Sequence, residues 1–426
     1  MSRYVGLDVH KRTVVVSLLD SEGKLVLRST IACTRSAIEK FAKEKLEPTD
    51  VVALEATTNS WTVAEILEPH VARVVVSNPL KTKAIAESTI KTDKVDSETL
   101  ARLLRAGFLP EVWHPSAEFQ LLRQLTVFYA SLINDRTRVK NRLQSLFHRR
   151  LIQCPVTELF SRAGLQWMDS LQLSEHDRLI LELARQQVVE LNDEIQEVGH
   201  RVAALAQENH SVKLLMTLPG VSIMTAACLV GSIGDVTRFR DGDHVASYFG
   251  LVPRVKQSAD HCYLGPITKT GNNQVRKMLV LAARNLRSHP GPLGAYFRRM
   301  AKRKHINVAA TATARKLVTV AFLILKNGEP YRYAQPGTTS QKFGQLYVLA
   351  NRRRREAVRI EPEQNEPVPP TGCRIRRQPA IDQVLARDGL PPIQWESLPK
   401  GEQLVIRRYH EYIDGIRKPK AIVGKG

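Results

Sequence analysis

The order of strand and helix patterns in the first 112 residues limits the fold more than any other feature of the chain. The apolar runs that predict strands are RYVGLDV, TVVVSLL, KLVLRST, VVALEA and VARVVVSN, at 3–9, 13–19, 24–30, 51–56 and 71–78. The first three are separated only by short turns, which predicts a meander of adjacent strands. Helical patterns then alternate with the last two. The order β-β-β-α-β-α-β-α predicts a mixed α/β domain.

Pattern and composition divide the rest of the chain into three further predicted segments. Residues 113–212 contain few Gly or Pro and have apolar residues at spacings of three and four, which predicts long helices in a coiled coil or an ordinary bundle. Residues 213–335 are predicted to be mainly helical. Residues 336–426 contain a basic run followed by EPEQNEPVPPTG, a stretch that cannot form a packed core, so this extension is expected to be partly disordered.

The chain is strongly basic, with a formal net charge of +21 from 63 Lys plus Arg against 42 Asp plus Glu. This charge predicts a polyanionic partner, nucleic acid first, although a solvated basic surface would have the same composition. No uninterrupted apolar run reaches the roughly 18 residues of a membrane span, and the N-terminal residues lack a signal-peptide pattern. Five scattered cysteines form no C-x-x-C pair, which argues against a disulfide framework or a zinc site. We expect a cytoplasmic protein with no membrane segment.

Four acidic residues lie at positions where a carboxylate is unfavourable without a stabilising partner, either at the end of an apolar strand or beside another acid on one helix face. Asp8 ends the apolar strand V-G-L-D-V and Glu55 ends VVALEA, so each requires a partner or a metal ion, unless it only caps the following turn. Asp93 and Asp96, in KTDKVDSETL, begin a predicted helix and share one of its faces. The helix dipole alone would favour acids there, and Mg²⁺ or Mn²⁺ is the other way to stabilise the pair.

The element order and the placement of these acids resemble the RuvC-like, or ribonuclease H-like, nuclease fold. Actin-like sugar kinases and ATPases also begin with a strand, a G-x-D and a hairpin, but they need glycine-rich phosphate loops that this sequence lacks. A carboxylate cluster in a basic chain would reach phosphate through metal, as in two-metal nucleases. A metal-dependent α/β domain is therefore expected over residues 1–112.

Two motifs in residues 213–335 resemble elements that bind or recombine DNA. LPGVSIMTAACL at 218–229 resembles a helix-hairpin-helix element, whose Pro-Gly turn presents N–H groups to phosphates. Ser222 replaces its usual second glycine, and a plain turn between helices is the alternative. Residues 244–287 contain G-L-V-P-R-x-x-x-S, then I-T-K-x-G-N and a basic helix. This run resembles the C-terminal transposase domain of the DEDD transposases of the one-hundred-and-ten insertion-sequence family, relatives of the Piv DNA invertases.

The N-terminal segment supports the same resemblance. G-L-D-V-H-K, L-E-A-T and K-T-D-x-x-D match the family's four-acid motif in order and approximate spacing, and the matches together cover about residues 1–335. Carried over residue by residue, the resemblance assigns Asp8, Glu55, Asp93 and Asp96 to the metal-binding and catalytic motif. It assigns Ser258 to the nucleophilic serine.

The surroundings of Ser258 predict nucleic-acid contact. We expect this serine in a polar loop between basic residues, where positive charge would assist attack on a phosphate. Ala259 follows it, where the family usually has a more permissive glycine. The candidates for nucleic-acid contact, each of which could also be an ordinary surface residue, are Arg254, Lys256, Lys269, Asn272 and Arg276. Arg352 to Arg355 in the extension could add further contacts.

The resemblance implies a DNA transposase or site-specific recombinase. It would cut and rejoin strands through a covalent phosphoserine intermediate, with Mg²⁺, or alternatively Mn²⁺, held by the four acids. The implied partners are donor DNA, target DNA and a non-coding bridge RNA, in a homodimer or homotetramer. The acids and the serine could meet within one subunit or across a dimer interface, and the resemblance implies the latter. One alternative is a RuvC-type structure-selective nuclease that uses water as nucleophile. Another is a nucleic-acid binding protein without enzymatic activity, in which the acids are structural.

Overall fold

The computed structural model describes residues 2–85, 93–258, 261–352, 380–394 and 398–417. Contacts divide the chain into two compact units, Met1–Pro115 and Ser116–Gly426. The first unit is a mixed α/β domain and the second is mainly helical, as the sequence patterns predict.

The described residues of the first unit contain five strands in one sheet. They are β1 Tyr4–Val9, β2 Thr13–Leu19, β3 Leu25–Ala32, β4 Val51–Glu55 and β5 Arg73–Ser77. Its helices are α1 Arg35–Lys45, α2 Ser60–Leu67, α3 Pro79–Ile85 and α4 Asp93–Arg105. The strand order is β3-β2-β1-β4-β5, in which β1, β2 and β3 form the predicted antiparallel meander and β4 and β5 run parallel to β1. The short helix α3 was not predicted.

The two faces of this sheet are covered by different helices. Alternate residues of the strands, such as Val5 and Leu7 of β1, are buried against an apolar cluster that includes Phe41 of α1 and Val63 of α2. Helix α4 packs on the opposite face, where its Ala101 is fully buried. The sheet is therefore the middle of three layers.

Two long helices open the second unit. Helix α5 spans Ala117–Arg149 and α7 spans Glu175–Glu208, with the short α6 Arg162–Ser170 between them. They run antiparallel, since Arg136 on α5 bonds to Asn192 and Arg150 forms an ion pair with Asp177. Buried side chains recur every seven residues along α7, at Leu181, Val188, Ile195 and Val202. This spacing is typical of coiled-coil packing, the first of the two predicted arrangements.

With the exception of the last one, the remaining described helices of the second unit contribute buried side chains to one large apolar core. They are α8 His210–Met216, α9 Ile223–Ile233, α10 Gly242–Tyr248, α11 Asn273–Asn285, α12 Pro292–Ala301, α13 Ile306–Asn327, α14 Pro336–Ala350, α15 Ile381–Arg387 and α16 Lys400–Arg417. Helix α13 is long and apolar enough to cross a membrane by composition, but half of that stretch is buried in the protein and Arg315 lies within it. Such a helix is equally typical of a protein core.

Part of the expected C-terminal extension belongs to this core. Phe343 and Leu346 of α14 and Leu385 of α15 are buried in the same cluster as α8 to α13. The partly buried Lys342 side chain of α14 donates hydrogen bonds to the carbonyls of Met216 (2.8 Å) and Leu218 (2.5 Å). It thereby holds the turn between α8 and α9, in which Leu218, Pro219 and Val221 are also buried.

Candidate metal site and serine hairpin

The strand register places two of the predicted acids next to each other in the sheet. Leu7 of β1 pairs with Leu54 of β4 in parallel, and Asp8 and Glu55 each follow directly at the carboxyl ends of these strands. Because side chains alternate along a strand, both acids lie on the face opposite Leu7, which is the face that α4 covers. The two acids, which the sequence places at the ends of two separate strands, are therefore neighbours in the sheet.

Small residues allow α4 to approach this face closely. Gly6 lies two residues before Asp8, and its neighbours across the sheet are Ser17 and Ala53. A Cβ atom at Gly6 would lie 1.9 Å from the Ser97 carbonyl oxygen and 2.7 Å from the Ala101 nitrogen. The hydroxyls of Ser17 and Ser97 form a buried hydrogen bond of 2.8 Å. Together these contacts fix the N-terminal turns of α4 against the sheet.

The first turn of α4 carries the other two predicted acids. Asp93 and Asp96 both lie in it. The His10 imidazole, which follows β1, has its Nε2 atom 3.2 Å from Asp8 Oδ2 and 3.2 Å from Asp93 Oδ2. One ligand atom from each of these three residues lies within 4.8 Å of the others. An O, N, O donor set of this size can hold a divalent cation.

Electrostatics support a convergence of negative charge at Asp8. Partial burial, with 20% of the side chain exposed, raises the pKa of its carboxyl group above the usual value. The nearby His10 lowers that pKa, whereas the negative charges of Asp93 and Asp96 raise it further. Asp96 is thus close enough to act on Asp8. A bound cation would relieve this repulsion, which is the physical reason that the donor set fits a metal.

The structure adds a residue that sequence reasoning missed. No role is predicted for His10 from the sequence, but its ring contacts both Asp8 and Asp93. The signal in the sequence was its position two residues after Asp8 in G-L-D-V-H-K. Of the four predicted acids, Asp8 and Asp93 are brought together, Asp96 acts on Asp8 electrostatically, and Glu55 lies beside Asp8 in the sheet.

The sequence predicted that Ser258 lies in a polar loop. In the structure it is instead the last residue of a strand. Strands β6 Pro253–Ser258 and β7 His261–Ile267 form an antiparallel two-stranded hairpin, in which Ser258 pairs with His261. The loop prediction failed because exposed residues of a two-stranded ribbon need not be apolar. Because an antiparallel strand advances about 3.4 Å per residue, Ser258 lies about 17 Å along the ribbon from Pro253. The side chains of Lys256 and Ser258, and all of Ala259, lie outside the described residues.

The base of this hairpin is held by two residues that were predicted to contact nucleic acid. The Arg276 guanidinium donates to the carbonyls of Phe249 and Thr270, each at 3.0 Å, and burial lowers its pKa. Asn272 caps α11 by accepting from the Gln274 and Val275 amides, and its own amide donates to Ser232. The polar groups of both side chains are thus used within the fold.

The other predicted contact residues are more accessible. Arg254 and Lys269 are exposed, and Lys269 has a left-handed backbone with φ of 57°. Such a conformation is strained in a residue other than glycine and occurs often at functional sites. The Lys269 amide donates to the Gly250 carbonyl at 3.3 Å, which keeps this strained residue at the hairpin base.

Comparison with known families gives two matches. Residues 5–150 match a DEDD transposase model of the IS110 type, and residues 212–298 match the model described as "Transposase IS116/IS110/IS902 family". The first range contains the four acids and the second contains the serine hairpin. A DEDD-type domain indicates dependence on a divalent metal, and the Asp8, His10 and Asp93 cluster is an acidic group of the required kind.

Similar proteins carry consistent names. A "Putative transposase y4pF/y4sB" of Sinorhizobium fredii is 26% identical over 341 residues, which are 78% of this chain and 86% of the relative. The "Transposase for insertion sequence element IS1328" of Yersinia enterocolitica is 22% identical over 76% of this chain and 97% of the relative. The "Pilin gene-inverting protein" of Moraxella bovis is 28% identical over 65% of this chain and 80% of the relative.

Proposed function

Because the chain belongs to the IS110 family of transposases, which cut and rejoin DNA, we propose that it recombines DNA by a metal-assisted, serine-linked mechanism. The observation that carries this proposal is the convergence of Asp8 and Asp93 from two separate elements of the first unit. Burial raises the pKa of the Asp8 carboxyl group, and the negative charges of Asp93 and Asp96 raise it further, so keeping Asp8 ionised at this position costs free energy. A site that must bind a cation next to phosphate explains that cost.

The first unit is proposed to be a RuvC-like domain. Its support is the element order, three antiparallel strands followed by alternating helices and parallel strands, with acids at the ends of β1 and β4 and at the start of α4. Within the second unit, residues 213–335 are proposed to be the transposase domain, in which α8 and α9 form the helix-hairpin-helix-like element, and residues 113–212 are proposed to be a helical linker. The predicted segment borders at 112, 212 and 335 remain proposals.

Asp8, Glu55, Asp93 and Asp96 are the residues proposed to hold Mg²⁺, or Mn²⁺. When bound, the metal would neutralise phosphate charge and stabilise the attacking and leaving oxygens. The chain's own contribution is to position the ligands. The contacts of Gly6 and the Ser17–Ser97 hydrogen bond hold α4, so that its two acids stay beside Asp8.

Ser258 is proposed as the nucleophile. Its hydroxyl would release a proton to solvent as Oγ attacks a DNA phosphorus. A phosphoserine ester would form while the bond from phosphorus to one deoxyribose oxygen breaks, and that oxygen would take up a proton from solvent and leave as a hydroxyl. A hydroxyl of another strand would then attack the same phosphorus and release the serine, which rejoins DNA without loss of bond energy. Exposed Arg254 and Lys269, together with Lys256, are proposed to contact the backbone.

Donor and target DNA are the proposed substrates, and a bridge RNA is the proposed guide. Support comes from the family and from the net charge of +21, which suits binding of several polyanionic strands with strong salt dependence. A homodimer or homotetramer acting in the cytoplasm, on nucleoid DNA, completes the proposal. Asn272 and Arg276 are proposed to act mainly by holding the hairpin base.

The test compares two variants in a strand-exchange assay on DNA that carries the ends of the encoding element, with RNA co-purified from the host. Ser258→Ala should abolish both the covalent protein–DNA adduct and exchange, because no Oγ is available. Asp96→Asn should abolish both as well, through loss of the metal site. Ser247→Ala, in α10, is the matched serine control and should retain activity.

Two results would contradict the proposal. If Ser258→Ala still cleaves DNA, water is the nucleophile and the RuvC-type nuclease alternative holds. If Asp96→Asn retains full activity, the acids are structural.

A further inference from the structure

The residue that the four-acid motif leaves out lies between two of its carboxylates. His10 Nε2 is equidistant from Asp8 Oδ2 and Asp93 Oδ2, at 3.2 Å from each. Its side chain is 45% exposed, so the ring has room to face solvent. It faces the carboxylates instead. An ordinary turn histidine would not need to contact both.

The main chain of His10 is fixed on both sides. Its amide donates to the Thr13 carbonyl at 2.9 Å, which closes the tight turn between β1 and β2. Its carbonyl accepts from the Asn59 side-chain amide at 3.4 Å, which connects the turn to the start of α2. The imidazole therefore extends from a defined position rather than from a mobile loop.

The separations within the cluster suit a shared ion. Ligand atoms bound to one cation at about 2.2 Å lie up to roughly 4.4 Å apart. The two distances from His10 Nε2 already meet this limit, and all three ligand atoms lie within 4.8 Å of one another. Small side-chain adjustments would complete the set.

We infer that His10 is itself a ligand of the metal site, which gives the site one imidazole nitrogen and a preference for a transition ion such as Mn²⁺ over Mg²⁺. Mg²⁺ favours an all-oxygen, octahedral shell, whereas imidazole suits first-row transition ions. This inference deepens the proposed function and rests on it, since it assumes that the acids bind metal. It predicts a preference for Mn²⁺ over Mg²⁺, which four carboxylate ligands alone would not produce.

The experiment measures Mn²⁺ binding to the full-length protein by electron paramagnetic resonance, with Mg²⁺ as competitor. His10→Gln retains a polar side chain of similar reach but removes the imidazole nitrogen. We expect its Kd for Mn²⁺ to rise about 10-fold while its Kd for Mg²⁺ changes by less than about 3-fold. His70→Gln, at a histidine of the same unit that follows α2, is the matched control and should bind both ions like the wild type.

A spectroscopic measurement reports the nitrogen directly. Electron spin echo modulation of the wild-type Mn²⁺ complex should show coupling to one ¹⁴N nucleus, and His10→Gln should lack it. A wild-type complex without this coupling, or a His10→Gln variant with unchanged Mn²⁺ affinity, would overturn the inference. Asp93→Asn distinguishes a failure of the proposed His10 ligand from a failure of the proposed metal site. If it loses Mn²⁺ while His10→Gln does not, only the role of His10 fails, and if it binds Mn²⁺ like the wild type, the proposed metal site fails with it.

Discussion

At the scale of single residues, the side chains at the base of the β6–β7 hairpin have two different roles. Some form hydrogen bonds within the fold, and others are exposed and available to a ligand. Arg276 uses its guanidinium on the carbonyls of Phe249 and Thr270, whereas Lys269 is exposed in a strained backbone conformation. Both were predicted from sequence as nucleic-acid contacts. Charge alone could not distinguish them, because the distinction depends on which carbonyls lie nearby after folding.

Substitution of these two residues should have different effects. Arg276→Ala leaves two carbonyls without their donor, so we expect a loss of about 1–2 kcal/mol in the free energy of unfolding, seen as a lower Tm. Lys269→Gln keeps a side chain of similar length, so its Tm should stay close to that of the wild type while DNA binding weakens and its salt dependence decreases. Equal Tm values for both variants would contradict this division.

At this scale the four acids of the metal site could be predicted from the sequence, but the histidine beside them could not. Asp8 and Glu55 were identifiable because charged residues rarely end buried strands, and Asp93 and Asp96 because of their spacing on a helix. His10 was not identified, since a histidine in a turn has no distinguishing pattern. Its role depends on the position of α4, which the local sequence does not determine.

At the scale of secondary-structure elements, the docking of α4 decides whether the acids meet. Gly6, Ser17 and Ala53 form a surface of small residues that allows the helix to approach. Periodicity predicted both the strands and the helix. It could not predict that the helix packs against this face, because small residues give no hydrophobic signal.

Gly6→Ala tests the docking of α4 directly. The added Cβ would lie 1.9 Å from the backbone oxygen of Ser97, so the helix must shift. We expect a loss on the order of 3 kcal/mol in the free energy of unfolding, and a weaker affinity for Mn²⁺ as Asp93 moves away from Asp8. Gly344→Ala, in α14, is the control. Its Cβ would meet nothing within 4 Å, so stability should be unchanged or slightly higher.

Helix α14 contributes a titrating group to the core. Burial lowers the pKa of Lys342 to about 7, from an ordinary value of 10.5. Between these values the unfolded chain binds a proton that the folded chain does not, so the free energy of unfolding should rise with pH from about 7 to about 10. The slope from this group approaches ~1.4 kcal/mol per pH unit.

Lys342→Met isolates that contribution. The variant loses two hydrogen bonds to the turn after α8, but its stability should vary less with pH than that of the wild type over this range. Chemical denaturation at pH 7, 8, 9 and 10 measures both. A wild-type curve parallel to that of Lys342→Met would show that the ammonium is not buried as described.

At the scale of the whole molecule, the second unit includes residues that the sequence suggested were peripheral. Ile381, Leu385 and Ile393 are buried in its main core. Their contribution was not predicted because they follow a Pro-rich and Glu-rich stretch and show only weak helical periodicity. Burial of short segments depends on the partner surface, which the local pattern does not reveal.

A truncation tests this part of the fold. A chain that ends at residue 379 loses α15 and its buried side chains, so we expect a destabilisation of ~5 kcal/mol or more and a clearly lower Tm. A chain that ends at Arg417 retains every described residue and should keep the wild-type Tm. A stable, fully active protein ending at residue 379 would show that residues 380–426 are dispensable.

The most direct test of the central claim is mass spectrometry of the protein–DNA adduct formed in the presence of Mg²⁺ and the co-purified RNA. After nuclease digestion, the account predicts a nucleotide attached to the peptide that contains Ser258, and no adduct in Asp8→Asn or Asp93→Asn. Efficient cleavage and rejoining without any nucleotide on Ser258, or with the same yield in those two variants, would contradict it.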